Sequence, residues 1–250
     1  DLFTGCMVIV GDMPWHRAGS CFTDDDLAFI ELLFENHYSI TSEKKILTAL
    51  RIVANSNSDH PVREYLNHLD WDRTPRVRFA LHHFLGAEIC DPNEELLRLF
   101  MLGAVTRIFQ PGCKFDMMLC LTGRQGAGKS SFFRFLAGND EWFSDDLRKL
   151  DDENVYRRIM GHWIIEMSEM MATGNAKNVE EIKSFLSRQK DTYKVPYDKF
   201  PADRPRQCVF AGTSNKLDFL PHDRSGNRRF LPIRIDPDKA EVHILANQQT

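Results

Sequence analysis

The chain has 250 residues, of which 42% are hydrophobic and 27% charged, so it has the composition of a folded protein and not of a disordered one. Lys and Arg number 32 against 36 Asp and Glu, a net charge of −4, which excludes a polybasic nucleic-acid coat and leaves only local patches to meet an acidic polymer. No apolar run approaches the roughly 20 residues of a membrane span, and the opening Asp-Leu-Phe-Thr-Gly lacks the basic start and apolar core of a signal peptide.

The chain does not open with Met, as expected of a trimmed fragment. Its six cysteines form no C-x-x-C pair and no zinc-spaced Cys/His cluster, so they read as reduced thiols of a cytoplasmic protein, several of them buried. Residues 1–22 are punctuated by Gly5, Gly11, Pro14 and Gly19 and read as irregular. A helix is expected from Thr23-Asp24 onward, with acids in its first turn and Leu27, Phe29, Ile30, Leu32, Leu33 and Phe34 as its apolar content. Thr41-Ser42 can cap a second helix carrying Ile46, Leu47, Leu50, Ile52 and Val53. Short helices over Val62–Leu69 and Val77–Leu85 open near Pro61 and Pro75. A stronger helix starts at Asn93, presents Leu96, Leu97, Leu99, Phe100, Leu102, Val105 and Ile108, and stops at Pro111-Gly112.

The texture changes at about residue 111. Met117–Leu121, Trp163–Ile165 and Cys208–Ala211 are short continuous apolar runs that read as buried strands. Phe230–Ile235 reads as an edge strand because of Pro232. Helices are expected at Ser130–Leu136 and at Val179–Ser187, the latter with Asn178-x-x-Glu181 as a variant capping box. The sequence therefore predicts an α/β protein: an irregular and helical region over 1–110, then a three-layer αβα core over 111–250.

Gly123-Arg124-Gln125-Gly126-Ala127-Gly128-Lys129-Ser130 matches G-x-x-x-x-G-K-[ST], the phosphate-binding loop, between an expected strand and an expected helix. Its glycines let backbone N–H groups curl around phosphate, and the following helix adds the positive end of its dipole. Gly123, Gln125, Gly126, Ala127, Gly128, Lys129, Ser130 and Ser131 are thus the candidate ATP-binding residues, with Lys129 on the β- and γ-phosphates and the Ser130 hydroxyl on Mg²⁺. Hydrolysis also needs an acid at the end of a second buried strand and a group that orients water. His162-Trp163-Ile164-Ile165-Glu166-Met167-Ser168-Glu169 supplies two glutamates, and their spacing leaves open which lies beside the metal and which acts as base. Phe210-Ala211-Gly212-Thr213-Ser214-Asn215 is an apolar strand with a polar end, whose Asn215 amide can bond the γ-phosphate or the attacking water. Arg224, Arg228, Arg229 and Arg234 cluster around a Gly226-Asn227 turn, and Arg228-Arg229 are the candidates for stabilising transferred phosphoryl charge. From Lys183 to Arg206 seven bases interleave with Tyr193 and Tyr197. A hairpin presenting Lys190, Tyr193, Lys194, Tyr197 and Lys199 can track a phosphate backbone and stack on bases, though a solvated loop has the same composition.

Taken in order, several segments resemble the virulence-associated protein E family, ATPases of phages and mobile islands similar to superfamily 3 helicases of the AAA+ class. They are His60–Leu66, Trp71–Arg76, Pro111–Asp116, the glycine-rich loop, Gly161–Glu169, Asp191–Tyr197 and Gly226–Phe230. The resemblance implies a hexameric ring in the cytoplasm of a bacterial host that hydrolyses ATP at subunit interfaces and moves along single-stranded DNA at a replication fork. It implies that Lys129 and Ser130 hold phosphate and Mg²⁺, that Glu166 and Glu169 supply the acids and that Asn215 is the polar sensor. It also implies that Arg228 or Arg229 is a finger reaching a neighbour's ATP, and that Asp191–Phe200 is a hairpin entering the ring's channel. Two other readings fit a phosphate loop: an ATP-driven DNA-binding switch or loader that does not unwind, and a small-molecule kinase.

Overall fold

A computed structural model of the chain describes residues 1–147, 150, 155–168, 176–193, 202–216, 228–242 and 244. The chain forms two compact units, Asp1–Leu69 and Asp70–Thr250.

The first unit holds helices α1 (Asp24–Tyr38), α2 (Glu43–Ser56) and α3 (Pro61–Asn67). Helix α1 starts where the sequence predicts, with Thr23 as N-cap and Asp26 closing a capping box. Asp26 does more than complement the helix dipole. It is buried and accepts bonds from Trp15 Nε1 (2.8 Å) and Arg17 Nε (2.8 Å), so one carboxylate fastens the irregular start onto α1. The Arg17 guanidinium beside it holds its pKa well below the usual carboxylate range.

The second unit begins with α4 (Arg76–Leu85) and α5 (Asp91–Phe109) and continues into a sheet. Strand β1 (Met118–Thr122) leads through the glycine-rich loop into α6 (Lys129–Leu136). There follow β2 (Phe143–Ser144), α7 (Val155–Ile159), β3 (Ile164–Glu166), α8 (Ala176–Leu186), β4 (Lys190–Tyr193), β5 (Ala202–Pro205), β6 (Val209–Ser214) and β7 (Phe230–Arg234). Five strands form one sheet in the order β2-β3-β6-β1-β7, every neighbouring pair parallel. The expected α/β class and the edge position of β7 are both seen. Helix α8 begins at Ala176, so Asn178 lies within its first turn and not at a cap.

Alternation along the strands sorts the core into two faces. Met118, Cys120, Ile165, Met167, Cys208, Phe210 and Phe230 pack with Val155 and Ile159 of α7 and with Val179, Ile182, Phe185 and Leu186 of α8. The intervening residues of β1, β3 and β6 face the other way, where α5 and α6 lie and Phe100 meets Phe133 at 5.9 Å between ring centres. None of the six cysteines forms a disulfide, and Cys120 and Cys208 are buried in the sheet.

The compact units divide at 69/70, whereas the change of sequence texture falls near 110/111. The reason is that α5 is bonded to the sheet. Arg107 is 1% exposed, and its guanidinium donates to the carbonyls of Cys208 (2.7 Å) and Phe115 (2.7 Å), the residues just before β6 and β1. Trp163 Nε1 donates to the Ala104 carbonyl at 2.9 Å. Burial pushes the Arg107 pKa down, and among the described residues no carboxylate bonds its guanidinium to oppose that shift. Substituting Arg107→Ala should therefore leave two carbonyls unpaired and a large void, and should cost about 3–5 kcal/mol in urea unfolding. Arg107→Lys should recover little of this, because a single ammonium cannot span both carbonyls in the plane a guanidinium uses.

Candidate active site

In a parallel sheet all strand C-termini share one edge, and the side chains expected to handle phosphate collect there. The glycine-rich loop leaves β1 at this edge. Gly126 and Gly128 take φ of +75° and +79°, a region in which a Cβ is strained. At Gly128 a Cβ would also lie 2.1 Å from Ile244 Cγ2, so glycine is required there for space as well as for backbone shape. Ala127 is buried, Gln125 is exposed, and Ser130 and Ser131 open the first turn of α6.

Lys129 is buried and folds back over the loop. Its ammonium donates to the carbonyls of Gly123 (2.8 Å) and Arg124 (2.8 Å) and to Asn215 Oδ1 (2.9 Å). Burial pushes its pKa down, and the charge of Glu166 opposes that shift. Asn215 stands just beyond β6, the strand inserted between β1 and β3, and this insertion carries the amide to the lysine.

Glu166 ends β3 and has no exposure to water. Its Oε1 accepts hydrogen bonds from Ser130 Oγ (2.9 Å) and from Thr213 Oγ1 (2.5 Å). Its Oε2 is buried with no hydrogen-bond partner among the described residues. Burial raises the Glu166 pKa, and the bonds from Thr213 and Ser130 pull it partly back.

Thr213 is the residue that sequence reading passed over. It was visible only as part of a polar strand end. Its signal lies in the period of β6: Val209, Ala211 and Thr213 share the face that looks toward α6, and Ala211 stands in register with Glu166.

Ser130 and Glu166 fit a magnesium ion. A hydroxyl oxygen, together with a carboxylate oxygen that lacks any other partner, is the hard donor set this ion takes, completed by water and by phosphate. No group of three or more His, Cys, Asp or Glu suited to a metal occurs among the described residues, so these two residues would share an ion with its nucleotide and not cage it alone.

Other expected residues lie elsewhere. Arg228 and Arg229 precede β7, and Phe230 is in register with Met118 at the start of β1. They therefore sit at the opposite end of the sheet, on the order of 15 Å from the loop by strand rise alone. Arg228 is exposed, while Arg229 bonds Asp116 at 3.1 Å. The structure does not bring either of them to Lys129 of the same chain.

Glu169, Lys194, Tyr197, Lys199 and Arg224 lie outside the described residues, as does the side chain of Tyr193. Strands β4 and β5 do form an antiparallel pair, with an exposed ion pair between Lys190 and Asp203. Within this basic segment, Lys183 and Arg206 are buried and belong to the core. Arg206 bonds both oxygens of Asp191 (2.6 and 2.9 Å) and lies 4.3 Å from the centre of the Phe185 ring.

A family model described as the virulence-associated protein E-like domain matches residues 66–250. The chain belongs to the virulence-associated protein E-like family. The match begins close to the 69/70 division, so the family domain corresponds to the second compact unit. No curated protein matches the chain. Among solved structures, three apo structures of the NrS-1 C-terminal region align with 17%, 15% and 18% identity and TM-scores of 0.46, 0.45 and 0.47. Each alignment covers 70% of this chain but only 38–40% of the other, so the chain spans about two fifths of their length. No helix among the described residues is long and apolar enough to cross a membrane.

The raised pKa of Glu166 makes a prediction about stability. Below the ordinary value of 4.5 the carboxyl is neutral in both folded and unfolded chains and carries no penalty. As pH rises above it, the unfolded chain loses its proton first, so stability falls until the folded carboxyl also ionises. Glu166→Gln should thus unfold at higher urea concentration than the parent at pH 8, with the gap closing near pH 4. Equal gaps at both pH values would show that the carboxyl is not desolvated.

Proposed function

We propose that this chain is an ATP-hydrolysing module of the AAA+ class that works on single-stranded DNA in the replication of a phage or other mobile element, as part of a ring. One observation carries this reading: Lys129, Asn215, Ser130 and Glu166 come from three different strand ends and converge on one another at the glycine-rich loop. The strand order, with β6 between β1 and β3, supports the AAA+ assignment because it sets a polar sensor between the loop and the acid.

In this reading the loop and the α6 N-terminus bind the triphosphate through backbone N–H groups. Lys129 exchanges its loop carbonyls for the β- and γ-phosphate oxygens. Asn215, released from the ammonium, is left at hydrogen-bond range of the γ-phosphate or the attacking water. Ser130 and Glu166 would hold a magnesium ion, which would supply neutralising charge to the phosphates when bound. Glu166, held by Thr213, serves the metal side, which leaves Glu169 as the base that takes the proton from water. The free exposure of Arg228, far from its own loop, supports a role at a neighbour's site, and hence a ring. The β4–β5 hairpin supports the DNA-contacting role of Lys190, Tyr193, Lys194, Tyr197 and Lys199.

The deciding experiment is ATP hydrolysis by the parent and by Lys129→Ala, each with and without single-stranded DNA. Hydrolysis stimulated by DNA and abolished by Lys129→Ala is expected. Hydrolysis indifferent to DNA would favour the switch or kinase readings. ATP bound equally by the parent and by Lys129→Ala would remove the loop from the site.

The hairpin is tested separately. Replacing Lys194 and Lys199 together by Ala should weaken DNA binding and reduce the slope of log K against log salt by about 1–2, since each lysine that neutralises a phosphate adds a little under one to that slope. An unchanged slope would return the hairpin to a solvated loop.

A further inference from the structure

Between helices α4 and α6 lies a half-open pocket of about 350 Å³ lined by Ala80, Phe84, Phe132, Phe135, Leu136 and Ile244. Its size falls within the roughly 300–1,000 Å³ of small-molecule sites. We propose that this cavity receives the base of the nucleotide whose phosphates lie in the glycine-rich loop. The inference rests on the reading of that loop as the ATP site and adds where the nucleoside goes and how it is held.

Continuity with the loop is the first reason. Ile244 lines the cavity and also packs on Gly128, the residue before Lys129, closely enough that a Cβ there would clash. Ile244 is held in place by the chain that precedes it. The Asp236 amide donates to the Leu85 carbonyl (3.1 Å), the Val242 amide donates to the His83 carbonyl (3.0 Å), and His83 Nδ1 lies 2.6 Å from Glu241 Oε2. One side of the cavity is therefore built against the loop itself.

Reach is the second reason. Phe132 stands one turn into α6, its amide donating to the Gly128 carbonyl at 2.9 Å. At 1.5 Å per residue, Phe132 to Leu136 lie about 5–10 Å along the axis from Lys129, a distance a ribose and base can cross.

Chemistry is the third. Every lining residue is apolar and three are phenylalanines, which suits the faces of a planar heterocycle. Phe135 is 50% exposed, so part of its ring is open for a flat ligand to cover. Among the described residues the lining offers no side-chain donor or acceptor to read the base edge, so packing and stacking hold the base and discrimination between adenine and guanine is weak.

The test compares binding of ATP and of inorganic tripolyphosphate, which lacks the nucleoside, both with Mg²⁺, by calorimetry on the full chain. Phe135 is half exposed, so its truncation spares the fold. Phe135→Ala should weaken ATP about tenfold, as expected when one stacking ring is removed, and leave tripolyphosphate unchanged. Phe135→Tyr should restore ATP affinity, and GTP should bind the parent about as well as ATP. Lys129→Ala should abolish binding of both ATP and tripolyphosphate. ATP affinity unaffected by Phe135→Ala, as when a protein segment covers the cavity instead, would overturn the proposal, and so would an equal loss for ATP and tripolyphosphate. A parent that binds tripolyphosphate but gains nothing from the nucleoside would overturn it while sparing the phosphate site. A parent that binds neither would defeat the ATP reading itself.

Discussion

A carboxylate oxygen sealed from water, with no hydrogen-bond partner among the described residues, is the constraint around which the candidate site is organised. Glu166 Oε2 is in that position. An ionised carboxylate so placed is costly, on the order of several kcal/mol, unless charge or hydrogen bonds meet it. Two hydroxyls, from Ser130 and Thr213, converge on Oε1, and the Lys129 ammonium contributes a favourable charge. None of these reaches Oε2. The fold therefore holds a group whose natural complement is a hard cation, at the edge where the loop would present phosphate. Local stability is lower than it would be with an apolar or neutral group at this position, as the buried carboxylate requires.

Holding that arrangement demands a rigid frame, and the frame is wider than the strands. Helix α5 precedes the sheet, yet its Arg107 clamps the approaches to both β1 and β6 by their carbonyls. These are the strands that deliver the glycine-rich loop and Thr213-Ser214-Asn215. A shift of β6 against β1 would separate Asn215 from Lys129 and Thr213 from Glu166 at once. Arg107 fixes that relation from the opposite end of the sheet, where it interferes with nothing at the phosphate edge.

Contiguous chemistry was legible in the sequence, and chemistry assembled by topology was not. Gly123–Ser130 is legible as a strand-to-helix turn because its glycines and their spacing are contiguous, and Glu166 is legible as the acid closing an apolar run. The buried strands and the edge position of β7 follow from apolar runs and from Pro232. Thr213 could not be assigned a partner, because its bond to Glu166 exists only once β6 lies beside β3 in a particular register. Arg107 was hidden for a related reason. A helical period identifies an apolar face, and a basic residue within it reads as the polar side until two carbonyls distant in sequence are found against it. Strand β2 has two residues, too few for any periodicity. Lys183 and Arg206 read as basic surface and are core, since an ion pair or a ring beneath a guanidinium leaves no mark on composition.

Arg206 also bears on how nucleotide and DNA would be linked. It stands three residues before β6 and binds Asp191 of β4, the Phe185 carbonyl of α8 and the faces of Phe185 and Phe210. Both members of the Arg206–Asp191 pair are buried, so breaking it would strand a charge at a cost of about 3–5 kcal/mol. The base of the hairpin is thus fastened to one end of β6, while Asn215 marks the other end, about 20 Å away along a six-residue strand. A central strand bonded on both sides does not stretch. Any displacement imposed on Asn215 by a γ-phosphate must appear as a movement of the strand as a whole or be absorbed in the turn that follows Ser214. Arg107 resists the first by gripping Cys208, at the hairpin end of the same strand. The two arginines therefore restrain the same end of β6: Arg206 joins the base of the hairpin to it, and Arg107 holds the Cys208 carbonyl that precedes it.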